Sequence, residues 1–133
     1  NHILNRKIEY CNNNGLSIKC MVCGELKGVS DYDIHIILEN LLDNAIEAAL
    51  KAVNKRISVD IYSDEQAMVI KISNTTEENV LKNNPEMNTT KKDNSYHGYG
   101  IRNVSELVKK NNGTIEYIQL GVDIVQCRVL LML

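Results

Sequence analysis

The sequence predicts an α+β domain of two layers: a mixed, mostly antiparallel sheet with about three helices packed on one face. Three observations lead there. The stretch 31–54 is apolar at helical spacing, two pairs of alternating β-branched segments read as hairpins, and a further helical segment lies between the hairpins. The chain has 133 residues, enough for one domain with a real core, and shows no linker and no repeat.

Each element has its own signal. Residues 2–11 place Ile3, Leu4, Ile8 and Cys11 at helical spacing, and Asn12-Asn13-Asn14-Gly15 stops the pattern. A strand follows at 16–23. The long helix opens with Ser30 and Asp33 in a capping-box-like arrangement. Ile34, Ile37, Leu38, Leu41, Leu42, Ala45, Ile46, Ala49 and Val53 then recur every three or four residues. Segments 57–62 and 67–73 alternate around a turn at Ser63-Asp64-Glu65-Gln66. From 74 to 96 neither period holds and the only proline, Pro85, occurs; a stretch of this length inside a compact domain is more often a binding loop than filler. Order resumes at Gly98 with a helix marked by Ile101, Val104, Leu107 and Val108, ending at Asn111-Asn112-Gly113. Strands at 114–120 and 124–131, joined at Gly121, close the chain.

Composition removes several classes of function. With 44% hydrophobic and 24% charged residues the chain is neither disordered nor fibrous. No apolar run approaches the roughly 20 residues of a membrane helix, so the piece is expected to be soluble. A net charge of −2 leaves no basic footprint for nucleic acid or anionic lipid, and the aromatics are all Tyr. The chain starts at Asn1, which reads as a fragment of something longer. Cys20 and Cys23 have CxxC spacing without a second pair or a nearby His. On a strand they point to opposite faces, so all four cysteines read as buried, reduced thiols.

Two features carry chemistry. Asn40 and Asn44 stack one turn apart on one flank of the long helix, where asparagine is a poor helix former. Spacing alone favours a solvated flank; the other reading is a pair of amide oxygens at a pocket mouth, suited to a hard cation and its phosphates. His97-Gly98-Tyr99-Gly100 opens a helix, where glycines let backbone approach a ligand and free N–H groups attract anions. It reads equally as a plain loop exit, and it is not the dinucleotide fingerprint, because Asn103 takes the third glycine position. Upstream, Thr89-Thr90-Lys91-Lys92 offers hydroxyl and ammonium groups to phosphate, or is simply a charged surface run.

Taken together, these parts are more specific than any one. Leu38-Glu39-Asn40-Leu41-Leu42-Asp43-Asn44-Ala45-Ile46-Glu47-Ala48 resembles the N box of the GHKL, or Bergerat-fold, ATP-binding domains of gyrase, Hsp90, histidine kinases and MutL. Thr89-Thr90-Lys91 with His97-Gly98-Tyr99-Gly100-Ile101 resembles the lid and second glycine box of one branch, the accessory-gene-regulator-type sensor histidine kinases of peptide quorum sensing. The resemblance covers 16–131. It implies ATP and Mg²⁺ as cofactors, with Asn44 the metal ligand and Asn40 supporting the phosphates. Asn74 stands at the place of the adenine-binding Asp, Thr89, Thr90 and Lys91 would reach the triphosphate from the lid, and His97, Gly98 and Gly100 would form the closing loop.

The resemblance further implies transfer of the γ-phosphoryl group to a histidine on an upstream dimerisation segment, whose helix tail would survive as 1–14, with 15–133 the catalytic ATP-binding domain. A cognate response regulator would be the partner. The whole protein would be a membrane-anchored homodimer with this domain in the cytoplasm, the fragment a monomer. None of the fragment's histidines fits the acceptor: His2 lies at the cut, His35 on the buried side of the long helix, and His97 against the glycine loop. Three departures stand out. Asn74-Thr75-Thr76-Glu77-Glu78 replaces the first glycine box, which implies weaker ATP binding. Asn40 stands where ATP-hydrolysing relatives carry a Glu, and it cannot take a proton, so hydrolysis should be slow. Glu47 replaces a common Lys. The alternatives are a nucleotide-binding or regulatory docking module without kinase activity, and an anti-sigma-factor-type serine kinase, which normally keeps both the glycine box and the Glu.

Overall fold

The computed structural model describes residues 2–77 and 96–133, with the backbone alone for 96–102. Three helices and five strands occur among them: α1 (His2–Asn13), β1 (Ser17–Cys23), α2 (Asp31–Leu50), β2 (Arg56–Ser63), β3 (Ala67–Thr75), α3 (Tyr96–Lys110), β4 (Gly113–Gly121) and β5 (Ile124–Met132). The strands form one mixed sheet in the order β1-β2-β3-β5-β4, parallel only between β1 and β2. This is the expected two-layer sandwich. Both ends of the stretch 74–96 read as a loop lie in regular structure, because β3 runs on to Thr75 and α3 begins at Tyr96; its residues 78–95 fall outside the described residues.

Alternation along the strands decides the core. Ile57, Val59 and Ile61 of β2, Met68, Ile70 and Ile72 of β3, and Cys127, Val129 and Leu131 of β5 all point toward the helices and are buried. They meet Ile34, Ile37, Leu38, Leu41, Leu42, Ala45 and Ala49 of α2, with Val104 and Val108 of α3. The helix α1 belongs to the same core, because Ile3, Leu4 and Cys11 are buried in it.

The start of α2 is built as its sequence indicates. Ser30 has extended backbone and its side chain accepts a hydrogen bond from the Asp33 amide at 3.1 Å. Asp33 itself is buried, and its Oδ2 accepts from Asn111 Nδ2 and meets Lys110 Nζ, each at 3.2 Å. That carboxylate fastens the beginning of α2 to the end of α3. The Asn111 hydrogen bond holds its pKa below the usual carboxylate range, against burial, with help from Lys110.

Three expectations are corrected. The helix α2 stops at Leu50 with Lys51 as its cap, so Val53 lies past the end and is 95% exposed. His35 is exposed rather than buried: it shares a flank with Glu39, one turn on, where its Nε2 lies 3.9 Å from Oε1. Cys11 and Cys127 are buried free thiols as expected, but Cys20 and Cys23 are exposed. β1 is an edge strand, and Cys20 opposite Val59 and Cys23 opposite Tyr62 do point to opposite faces. Just after it, Gly24 has φ +90, and a Cβ there would lie 2.0 Å from the Ser63 carbonyl oxygen.

Candidate functional site

A cavity of about 80 Å³ opens between α2 and the sheet. Leu41, Asn44, Ala45 and Ala48 come from α2, Ile72 and Asn74 from β3, Tyr117 from β4, Val125 and Cys127 from β5, and Thr76 from just beyond β3. Small side chains on α2 leave the space between the two layers unfilled here. Ala45 and Ala48 stand where a larger residue would close the gap.

Three buried side-chain polar atoms among the described residues have no nitrogen or oxygen partner: Asn44 Nδ2, Tyr117 Oη and Ser63 Oγ. Two of the three belong to residues lining this one cavity. A buried polar atom without a partner costs about 1–3 kcal/mol, and native structures keep few of them. Whichever way the Asn44 amide is turned, one of its polar ends is left over at this position. Tyr117 lies directly across from Cys127 in the β4–β5 ladder, so both side chains share the inward face. Burial pushes the Cys127 thiol up to about 12 and the Tyr117 phenol well above its ordinary value. Both stay protonated, and the cavity's lower wall is neutral.

Asn44 and Asn74, adjacent to neither each other in sequence nor in secondary structure, are brought together here. Asn74 Nδ2 donates to the Thr75 carbonyl at 3.0 Å. Asn40 is not among the lining residues; its Nδ2 donates to the Ile36 carbonyl one turn back at 2.8 Å. Thr89, Thr90 and Lys91 fall outside the described residues. His97, Gly98 and Gly100 lie in the opening turns of α3, as backbone alone. Tyr117, Cys127 and Thr76 were not anticipated. The available signal was a Tyr and a Cys at inward positions of β4 and β5, among mainly aliphatic neighbours.

Where a glycine box was missing, threonines root the chain. The Thr75 hydroxyl accepts from the Arg56 amide at 3.0 Å and donates to the Arg56 carbonyl at 3.3 Å. The Thr76 amide donates to the Asp123 carbonyl at 2.9 Å. Both threonines are buried. The segment that leaves β3 is therefore pinned to β2 on one side and to the β4–β5 turn on the other.

The other flank of α2 is clamped to α1. Lys7 Nζ lies 2.8 Å from Glu39 Oε2 and 2.5 Å from Asp43 Oδ1, and Arg6 Nη2 is 3.3 Å from Glu39 Oε1. These carboxylates immediately precede Asn40 and Asn44. The Lys7 hydrogen bond, ahead of the opposing effect of burial, lowers the Glu39 pKa. Glu39 is thus an engaged carboxylate, and Asn40 beside it holds no titratable proton. Neither is placed to serve as a general base.

A helix bearing two asparagines thus packs over a mixed sheet, with a mostly apolar slot between them that holds a few polar groups. This chain belongs to the GHKL domain family, whose family model matches residues 29–130. Solved structures show the same fold. The catalytic domain of histidine kinase ThkA superimposes with a TM-score of 0.76 at 14% identity, covering 98% of this chain and 92% of that one. The mycobacterial sensor histidine kinase MprB gives 0.69 at 14%, with 98% and 92% covered. The Acinetobacter baumannii histidine kinase AdeS gives 0.66 at 15%, with 98% and 63% covered. No curated protein matches the sequence.

Proposed function

We propose that this domain binds Mg-ATP in the α2–sheet cavity and serves as the catalytic domain of a sensor histidine kinase. The observation that supports it is a pair of buried polar atoms without a nitrogen or oxygen partner, on Asn44 and Tyr117, lining one slot with Asn74. A cavity that holds unpaired hydrogen-bonding groups among apolar walls suits a flat, polar-edged ring. The base would lie between α2 and Ile72, with the Asn74 amide at its edge. An amide both donates and accepts but carries no charge, so affinity should be lower than with a carboxylate.

The donor set fits Mg²⁺ as this ion is usually held, by one or two protein oxygens plus phosphates and water. Asn44 would supply that oxygen, with Asn40 supporting the phosphates from one turn earlier. When bound, Mg²⁺ supplies charge neutralisation across the triphosphate. The chain's own part is to fix the nucleotide against α2 while no base beside it activates water, because Asn40 cannot and Glu39 is held by Lys7 and Arg6. The γ-phosphoryl group is then kept for a histidine imidazole. Thr89, Thr90, Lys91, His97, Gly98 and Gly100 complete the triphosphate side of this reading.

The acceptor histidine lies on a dimerisation segment upstream, with a response regulator as the onward partner, in a membrane-anchored homodimer whose cytoplasmic part includes this domain. Residues 1–14 lead in from that segment, and the packing of α1 in the core makes them a docked entry to 15–133. No described helix is long and apolar enough to cross a membrane. The motif pattern supports the peptide quorum-sensing branch.

Calorimetric titration with Mg-ATP, with ATP alone, and of Asn44→Ala tests the reading. Saturable, Mg²⁺-dependent binding that the variant loses is expected. No binding at millimolar ATP would overturn it and leave the docking-module alternative.

A further inference from the structure

We propose that Tyr117 determines base specificity, its hydroxyl being the group the cavity holds for the edge of the bound ring. The inference rests on the nucleotide-binding reading above and adds a residue from β4, an element that no motif in the sequence singles out.

The argument starts from what surrounds the hydroxyl. Most of the inward row around it is apolar: Ile115 lies two residues before it on β4, and Val125, Cys127 and Val129 line the neighbouring strand, with Gln119 and Asn74 the polar residues opposite Val125. A phenylalanine would fill the same volume without a hydroxyl to satisfy. A buried hydroxyl whose one hydrogen-bonding neighbour is the Cys127 thiol, with no nitrogen or oxygen partner, disfavours the empty fold, and a bound group that gives it a stronger hydrogen bond lowers the penalty. Cys127, directly opposite, supports the same conclusion from shape. A thiol is smaller than the Ile, Val or Leu found at other inward positions, so the pairing of Tyr with Cys leaves open the space next to the hydroxyl. The thiol itself is only a weak hydrogen-bonding partner.

The chemistry matches a nucleobase edge. A neutral phenol donates and accepts, so it can meet a ring nitrogen or an exocyclic amino group, and it sits in the same lining as the Asn44 and Asn74 amides. Sites that hydrogen-bond a ligand group discriminate against analogues lacking it far better than apolar pockets do. Tyr117 therefore contributes to the choice among bases, while the triphosphate contacts, which all nucleotides share, contribute none.

Tyr117→Phe removes the hydroxyl and nothing else. Affinities of the unmodified protein and of the variant for Mg-ATP, Mg-GTP and Mg-CTP are compared by calorimetry, together with the thermal midpoint of each without nucleotide. The expected result is about a tenfold loss of ATP affinity, a narrower spread between ATP and CTP, and an unliganded midpoint that holds or rises. An ATP affinity equal to that of the unmodified protein overturns the inference. So does a lowered midpoint with unchanged base preference, which marks the hydroxyl as structural. Asn44→Ala separates the two levels: if it abolishes binding and Tyr117→Phe does not weaken it, the proposed function stands and this inference alone falls. If the unmodified protein binds no nucleotide, both fall.

Discussion

The Asp33 carboxylate gives the most quantitative test of how the two long helices are joined. Asp33→Ala removes an acceptor that is 2% exposed and holds Asn111 and Lys110 at 3.2 Å each. The hydrogen bond to a charged acceptor contributes about 1.5 kcal/mol, at the low end of its class, because Asn111 Nδ2 keeps the Leu107 carbonyl at 2.8 Å. A negative charge in the first turn of α2 adds about 0.5 kcal/mol. The Lys110 pair adds little, since that side chain is 67% exposed. The sum is about 2 kcal/mol, read as a lower urea midpoint at pH 7 with unchanged slope. A cycle with Asn111→Ala should return about 1 kcal/mol of coupling. The folded-state pKa of Asp33 is depressed, so its charge stabilises fully above the unfolded value near ~3.9 and ceases to do so as pH falls through the folded value. The gap between wild type and variant must therefore shrink in acid. A loss below about 0.5 kcal/mol, within the range of ordinary surface substitutions, or a gap as wide at pH 2 as at pH 7, would refute the assignment.

Two further outcomes follow from the fold. A thiol reagent should label Cys23 and Cys20 in the native protein, Cys20 more slowly because burial and then the Asp60 charge raise its pKa, while Cys11 and Cys127 react only after unfolding; four equivalents reacting at one rate would contradict the burial. Lys7→Met keeps the stem but strips Glu39 and Asp43 of their ammonium, and should cost about 1 kcal/mol in chemical denaturation. Burial depresses the Lys7 pKa, but its hydrogen bonds to Asp43 and Glu39 outweigh that and raise it overall. Its contribution is complete below the unfolded value near ~10.4 and is lost as pH rises through the folded one. Glu39, with its lowered pKa, loses its share on the acid side. The variant should thus differ from wild type across neutral pH and converge at both extremes.

Much of this was legible from residues alone. α2 declared itself through its cap and its apolar recurrence, and Asn44 lies on the edge of it that lines the cavity. What periodicity could not supply was where the helix ends: Ala49 and Val53 keep the spacing, yet the chain caps at Lys51 without a glycine to announce it. His35 fell outside the buried stripe because it follows the Glu39 flank, a difference of one 100° step. Strand residues such as Cys20 and Cys23 encode alternation but not whether the strand lies at an edge, which only pairing partners decide. Asn40 was grouped with Asn44 by spacing, but bonds its own helix. Tyr117 and Cys127 were silent for a different reason. They come from a hairpin about 70 residues past α2, and only the β3–β5 pairing, which closes Ala67 onto Met132 and Thr75 onto Ile124, carries them under it.

That β3–β5 seam would also tie folding to binding of the proposed nucleotide. Each hairpin can form from neighbouring residues, but joining them requires contacts between residues as far apart in sequence as Thr75 and Ile124 or Ala67 and Met132, the slow and entropically costly kind. The cavity straddles the seam, with Asn74 on one hairpin and Tyr117 on the other. A ligand held there recognises only the assembled sheet, so its binding free energy adds to global stability by mass action. Nucleotide level would then set how much of the protein survives unfolding and proteolysis, alongside any effect on its chemistry.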